Sequence, residues 1–353
     1  MGFFERILTA VVSERRSSRL GLVSALLAAL ALSTAGPAAA AKKLPALAAD
    51  PAKVSISGLS AGGFMAVQYD VAFSASTVGV GVVAGGPYNC VYVNFGGIST
   101  CMSGNPIGAA SYQAAQGFAF IGQVDPVDHI KTQKIYLFSG ADDTVVKPSV
   151  MNAVRDFYQA AQVPEASIQY VKQFPAGHAF ISDDFGADCA ITAAPYVNQC
   201  PTAGGLYDQP NAILTQIYGP LQPKAATLSS APVAFKQTPF ASAFSGLSAT
   251  GYVYIPADCR KKTGGTKCAV HVVFHGCEQN AATVGDAVYG RLGYNEWADS
   301  NRIIVLYPQV DANALSNPHG CWDWWGYSGL NFQTRSGPQL SAVRAMVLRL
   351  TAS

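Results

Sequence analysis

Short apolar segments alternate with helical stretches from Lys53 onward, a pattern typical of α/β proteins. The apolar segments predict strands at residues 54–57, 78–84, 134–139, 168–174, 251–255, 271–274 and 303–307. Apolar residues at helical spacing predict helices at residues 61–73, 149–162 and 340–350. Residues 183–238 are rich in Pro, Ala and Gly without clear periodicity, so we expect this stretch to wrap the surface or to cover a cleft.

The first 41 residues have the pattern of a secretory signal peptide. Arg15, Arg16 and Arg19 precede an apolar run at residues 20–32, and four alanines follow at residues 38–41. The apolar run is shorter than the roughly 20 residues that span a bilayer. We therefore expect a cleaved signal at 1–41, no stable membrane anchor, and a secreted protein, either extracellular or periplasmic.

Composition then limits what the rest of the chain can be. Only 12% of the 353 residues are charged and 50% are hydrophobic, enough for one large core. The signal segment holds four of the 23 basic and two of the 21 acidic residues, which leaves the remainder with a formal net charge of zero. The sequence has no cluster of Lys and Arg of the kind that binds the phosphates of nucleic acid, so we expect no nucleic-acid partner. We expect a single domain at 42–353, monomeric, without a separate substrate-binding domain.

Eight cysteines follow the signal segment. They are Cys90, Cys101, Cys189, Cys200, Cys259, Cys268, Cys277 and Cys321. An even number in an exported protein favours disulfides, and sequential pairing would make the first three pairs close short loops. Other pairings stay open. No pair has the C-x-x-C spacing of a zinc ribbon, so we expect no metal.

The segment Gly58-Leu59-Ser60-Ala61-Gly62 fits the nucleophile elbow G-x-S-x-G. It follows a predicted strand and precedes a predicted helix, which is the context that this motif requires. The helix start places backbone N–H groups beside the serine, where an oxyanion would develop. Ser60 is therefore the candidate nucleophile of a serine hydrolase.

A serine nucleophile needs a base and an orienting acid. Of five histidines, His178 lies in a glycine-bearing loop after a predicted strand, where α/β-hydrolases carry the catalytic histidine. Two aspartates follow the predicted strand 134–139, and the spacing from Gly140 favours Asp143. Asp142 is the alternative.

The segment 271–277 reads as a buried strand that ends in His275-Gly276-Cys277. It resembles the oxyanion loop of lipases, in which a backbone N–H holds the tetrahedral oxygen. His271 and His275 lie about 13 Å apart along a strand, too far to share a metal ion. Most α/β-hydrolases carry this loop before the serine, whereas here it follows the histidine, so we expect a circularly permuted α/β-hydrolase fold.

Together these motifs resemble the poly(3-hydroxybutyrate) depolymerases with a permuted, type II catalytic domain. The resemblance covers about residues 50–350 and rests on Gly58–Gly63, Ser139–Val146, Gly177–Phe180, His275–Cys277 and Asn317–Tyr327. It implies a mostly parallel sheet with helices on both faces, a triad of Ser60, Asp143 and His178, and no cofactor. It also implies an oxyanion hole from the N–H groups of Ala61 and Cys277, with His275 shaping the loop. A Cys277–Cys321 disulfide would tie the aromatic segment beside the site.

The aromatic residues near the end of the chain are the candidate substrate contacts. They are Trp322, Trp324, Trp325 and Tyr327. An uncharged polyester polymer or oligomer offers methyl and ester groups that aromatic faces bind by apolar contact, though some of these rings are expected in the core. Two alternatives are a feruloyl- or acetylxylan-type esterase, which uses similar motifs, and a non-catalytic binding protein on a degenerate hydrolase fold.

Overall fold

The apolar segments of the sequence form one central sheet in the computed structural model, which describes residues 41–260 and 266–353. Except for Ala41, the expected signal segment lies outside the described residues. The strands are β1 Val54–Leu59, β2 Thr77–Val83, β3 Lys134–Phe138, β4 Ile168–Val171, β5 Phe180–Ile181, β6 Ala187–Asp188, β7 Val197–Gln199, β8 Pro201–Thr202, β9 Gly205–Leu206, β10 Val233–Lys236, β11 Thr250–Tyr254, β12 Ala269–Phe274 and β13 Ile303–Tyr307. The α-helices are α1 Ala61–Ala72, α2 Cys90–Val93, α3 Gly97–Ser103, α4 Gly108–Phe120, α5 Pro148–Ala160, α6 Gln209–Tyr218, α7 Ala281–Val284, α8 Tyr294–Ser300 and α9 Pro338–Thr351.

The central sheet has eight strands in the order β10-β11-β13-β12-β1-β2-β3-β4. Its six strands from β13 to β4 pair in parallel, and only β10 and β11 at one edge pair antiparallel. Strands β1, β12 and β13 are buried along their whole length. Because both faces of a parallel sheet are covered, such strands read as continuous apolar runs rather than as alternating ones. The expected mostly parallel α/β sheet is confirmed.

The strand order also shows the circular permutation. The central strand β1 has strands from the second half of the chain on one side and β2, β3 and β4 on the other. The two ends of the folded unit meet, since the amides of Leu47 and Ala48 donate to the carbonyls of Leu350 and Ala352 at 3.1 and 2.8 Å. Circular permutation requires chain ends that lie close together, as these do, because the original ends must be linked and new ends opened elsewhere.

Residues 183–238 contain more regular structure than the sequence pattern predicted. Strands β6 and β7 form a small sheet with β5, which precedes the stretch, and α6 packs against β2 and β3. The Asp208 side chain caps α6 by accepting from the Asn211 N–H at 2.9 Å, and Gly219 ends the helix with a φ of 83°. The expectation of an irregular stretch is therefore wrong for α6, whose capping residues are visible in the sequence.

Four disulfides link Cys90–Cys101, Cys189–Cys200, Cys259–Cys268 and Cys277–Cys321. This is the sequential order, and the last bridge is the one that the family resemblance implies. Among the residues that the structure describes, no helix is both long enough and apolar enough to cross a membrane.

Candidate active site

Ser60 lies in a strained turn between β1 and α1. Its φ of 57° and ψ of −124° fall outside the regions that a non-glycine residue prefers. Only small neighbours fit this turn, because a Cβ on Gly62 would lie 2.3 Å from the Phe274 carbonyl oxygen. A Cβ on Gly58 would lie 2.2 Å from the Gly62 oxygen. These contacts explain why the sequence carries glycine on both sides of the serine, whose side chain lies at the pocket wall.

His178 and Asp143 come from the loops that follow β4 and β3. The His178 Nδ1 and the Asp143 Oδ2 are 2.7 Å apart, and both side chains are buried. The other carboxylate oxygen of Asp143 accepts from the backbone N–H groups of Val145 and Val146 at 2.8 and 2.9 Å. With Nδ1 bonded to the carboxylate, Nε2 is the free nitrogen of His178, which lines the same pocket as Ser60. Asp142, the alternative acid, is exposed.

The two backbone amides expected to form the oxyanion hole, those of Ala61 and Cys277, belong to residues that line this pocket. Within the described parts of the chain, neither amide donates a hydrogen bond to a protein atom. Ala61 begins α1, so its N–H is one of the groups that a helix leaves unpaired at its start. Both amides are thus available to a substrate oxygen.

The loop that carries the Cys277 amide is held by side chains. The His275 Nδ1 bonds the Gly276 carbonyl oxygen at 2.7 Å, and its Nε2 accepts from the Val310 N–H at 3.2 Å. The Gly276 N–H in turn donates to the Gln279 side chain at 2.8 Å. Burial lowers the pKa of His275 to about 4, so the ring is neutral at pH 7 with its proton on Nδ1. His275 therefore fixes the peptide unit that contains the Cys277 N–H.

The pocket has a volume of about 400 Å³ and largely apolar walls. Trp324 stacks on Phe64 with ring centroids 4.2 Å apart, and Trp325 lines the pocket beside it. Ile98 and Met102 of α3 also line the pocket. These walls suit a substrate made of methyl and ester groups.

Two of the four aromatic candidates lie elsewhere. Trp322 is fully buried and packs edge-to-face on Phe274 with centroids 4.8 Å apart, so it is a core residue and not a pocket contact. Tyr327 is partly buried, and its hydroxyl donates to the Cys321 carbonyl oxygen at 2.6 Å. It is not among the residues that line this pocket. The expectation that Trp322 contacts substrate is wrong, because its ring is enclosed by core side chains, among them Phe274, and is not among the residues that line the pocket.

Several pocket residues were not anticipated from the sequence. Phe64 follows Ser60 by four positions on α1, a helical spacing that could have identified it. Tyr196, Glu278 and His319 form a polar cluster on one wall. The His319 Nδ1 lies 2.6 Å from one Glu278 oxygen, and the Tyr196 hydroxyl donates to the other at 2.8 Å. The hydrogen bonds from His319 and Tyr196 lower the pKa of Glu278. Nothing local in the sequence brings these three loops together.

A second serine–histidine contact lies inside the sheet. The His271 ring bonds the Ser55 hydroxyl at 2.6 Å and the Ser57 hydroxyl at 2.8 Å. All three residues are fully buried between β1 and β12, away from the pocket, and burial lowers the pKa of His271 to about 3. This cluster satisfies buried polar groups of the sheet, and a substrate does not reach it.

The fold and the serine turn are those of the α/β-hydrolases. No protein-family model matches this chain. The chain is 42% identical to a poly(3-hydroxybutyrate) depolymerase from Delftia acidovorans over 92% of this chain and 65% of that protein. It is 37% identical to a polyhydroxybutyrate depolymerase from Talaromyces funiculosus over 89% of this chain and 94% of that protein.

Solved structures show the same relationship. A PHB depolymerase from Penicillium funiculosum superposes with a TM-score of 0.79 and 35% identity, covering 88% of this chain and 99% of that one. A PHB depolymerase complexed with an R3HB trimer superposes equally well. The chain belongs to the poly(3-hydroxybutyrate) depolymerase family. It spans just under two thirds of the Delftia relative and nearly the whole of the Talaromyces one.

Proposed function

We propose that this chain is a carboxylic ester hydrolase that cleaves the ester bonds of poly(3-hydroxybutyrate) or its oligomers. The observation that carries this proposal is the buried contact between His178 and Asp143 on the pocket that also holds the strained Ser60. A nucleophile, a base and an orienting acid on one pocket are the elements of acyl transfer. Family membership supports the polyester as the substrate.

The reaction proceeds through an acyl-enzyme. The Ser60 hydroxyl attacks the ester carbonyl while His178 Nε2 takes its proton, and Asp143 stabilises the imidazolium. The oxyanion accepts from the amides of Ala61 and Cys277, each contributing about 3 kcal/mol to transition-state stabilisation. His178 then protonates the leaving alcohol. A water molecule, deprotonated by His178, hydrolyses the acyl-enzyme and restores Ser60. The steps balance without a metal or cofactor.

The pocket walls support an uncharged substrate. In the described part of the chain, no Lys or Arg lines the pocket, so an anionic substrate finds no fixed positive charge there. Trp324 and Trp325 offer faces to the methyl groups of a hydroxybutyrate chain. The exported location expected from the sequence is part of this proposal, supported by the four disulfides.

Release of hydroxybutyrate from a polymer suspension tests the proposed function. The wild type should clear the suspension, and Ser60→Ala should abolish clearing while leaving the fold intact. Ser341→Ala, the same change at an exposed position of α9, is the matched control and should clear like the wild type. Clearing by Ser60→Ala would contradict the mechanism. Ser60-dependent hydrolysis of feruloyl or acetylxylan esters without clearing would move the substrate to those esters.

A further inference from the structure

Asp323 lies between Trp322 and Trp324, and its buried carboxylate organises the residues that follow it. One oxygen accepts from the backbone N–H groups of Trp325, Gly326 and Tyr327, at 3.1, 2.6 and 3.1 Å. The other accepts from the N–H and the hydroxyl of Ser328, at 2.8 and 2.6 Å. Five hydrogen bonds to one carboxylate curl the chain into a tight turn. Hydrogen bonds to an ionised acceptor are stronger than neutral ones.

The main chain of Asp323 is anchored to two helices of the core. Its carbonyl oxygen accepts from the Gln68 side chain on α1 at 2.9 Å, and its N–H donates to the Gln339 side chain on α9 at 2.8 Å. Gln68 lies one helical turn beyond Phe64, on which Trp324 stacks. The same helix that begins beside Ser60 therefore sets the position of Asp323.

The two indoles beside Asp323 differ in how they are held. Trp324 is buried against Phe64, whereas Trp325 is partly exposed on the pocket wall. The Trp325 ring lies beside the rings of Trp324 and Tyr327, with centroids 5.5 and 4.9 Å away. A partly exposed side chain keeps one orientation only if its backbone is fixed, because otherwise its rotamers are free to interconvert. The Trp325 N–H is one of the groups that the carboxylate holds.

We propose that Asp323 is a positioning residue for substrate binding: its carboxylate fixes the turn that presents Trp325, beside Trp324, to the pocket. The acid does not touch substrate and acts through the turn. The proposal rests on the proposed function, since it assigns the substrate contact to the aromatic wall of that site. A purely structural role would affect folding without changing how substrates of different length are bound.

The variant Asp323→Asn tests this role because it keeps the size of the side chain. Its amide nitrogen replaces one acceptor oxygen, so at least one backbone N–H of the turn loses its partner or the amide meets another donor. Asp128→Asn makes the same change at an exposed residue paired with Lys131 and is the matched control. Asp323→Ala, which removes all five hydrogen bonds, is the stronger variant.

Each variant is assayed on an (R)-3-hydroxybutyrate trimer and on p-nitrophenyl acetate, which is too small to need both indoles. For Asp323→Asn we expect KM for the trimer to rise about tenfold, because the substrate loses a well-oriented contact with the Trp325 ring. The kcat on both substrates should stay within about twofold of wild type. The tryptophan bands of the near-ultraviolet circular dichroism should weaken, because the indoles lose their fixed environment. Asp128→Asn should match the wild type throughout.

Equal losses on both substrates, or an unchanged trimer KM, would overturn the proposal. If Asp323→Ala does not fold, Asp323→Asn decides the question alone. If the wild-type protein does not cleave the trimer, the proposed substrate is wrong, and the circular dichroism still decides whether Asp323 orders the tryptophans: unchanged bands in Asp323→Asn would contradict the positioning role.

Discussion

Two adjacent aspartates follow β3 and occupy opposite environments. Asp143 is buried against His178, whereas Asp142 is exposed. In the proposed mechanism Asp143 holds His178 in the productive tautomer, so Asp143→Asn should lower kcat by about 10³- to 10⁴-fold. Asp142→Asn changes the same side chain one position earlier and should leave kcat within about twofold, since surface substitutions have small effects. Steady-state kinetics on p-nitrophenyl acetate checks both.

A larger loss of kcat in Asp142→Asn than in Asp143→Asn would assign the acid to Asp142 and contradict the geometry of the site. The sequence favoured Asp143 by its distance from Gly140 but left both residues open. The structure separates them by burial, a property that depends on how the loops after β3 and β4 fold together, which local spacing does not reveal.

The interface between α1 and α5 contains a buried acid. Asp70 of α1 accepts from the Tyr158 hydroxyl of α5 at 3.0 Å, and burial raises the pKa of Asp70 to about 7. The folded state therefore binds this proton more tightly than the unfolded state does. The resulting stabilisation is complete below the ordinary carboxyl pKa and is lost as the pH rises through about 7.

Asp70→Asn replaces the acid with a neutral group of the same size and tests this pH dependence. As the pH rises from 5 to 8, the Tm of the variant minus that of the wild type should become more positive. The reason is that the buried Asp70 of the wild type becomes charged over this range, whereas the asparagine stays neutral. Asp128→Asn, at an exposed site, should show no such trend. A difference that does not change with pH would mean that Asp70 stays ionised, or is solvated, throughout this range.

At the level of elements, the strands of the central sheet were predictable and several helices were not. Strand β13 was expected with its observed bounds, and β1, β2 and β3 within about two residues, because buried parallel strands are short and almost wholly apolar. Helix α4 was missed. Its sequence is rich in Ala and Gly, and only Gly108, Ser111 and Ala115 are buried, so it carries no apolar stripe.

At the scale of the whole molecule, the parallel sheet assembles the candidate site. Ser60, Asp143, His178 and Cys277 all follow the carboxyl ends of strands β1, β3, β4 and β12. Parallel strands end at the same edge of a sheet, so residues far apart in sequence meet there. This rule is why the core of the site could be predicted from sequence. Tyr196 and His319 lie in loops farther from these strand ends, which the rule does not place.

The disulfides also act at this scale, because they close loops of very different lengths. Cys277–Cys321 spans 44 residues and Cys259–Cys268 spans 9. Loop-closure entropy assigns about 4 kcal/mol of stability to the first and about 3 kcal/mol to the second. Replacing Cys277 and Cys321 by alanine should therefore lower the free energy of unfolding more than replacing Cys259 and Cys268 does. Urea denaturation measures both changes.

The Cys277/Cys321 double variant should also lower kcat, because Cys277 carries an amide of the candidate oxyanion hole. Replacing Cys259 and Cys268 by alanine is the matched control, and its kcat should stay close to wild type. Equal losses of kcat in the two double variants would indicate that the Cys277–Cys321 bridge has no special relation to the pocket.

In the proposed reaction one serine, Ser60, performs ester hydrolysis in this pocket. The most direct test is titration of the purified protein with a serine-reactive fluorophosphonate, following polymer hydrolysis and mapping the label by peptide mass spectrometry. We predict that activity falls in proportion to labelling, reaches zero at one label per chain, and that the label lies on Ser60. A fully labelled Ser60 with retained hydrolysis, or loss of activity with the label on another residue, would show that Ser60 is not the nucleophile.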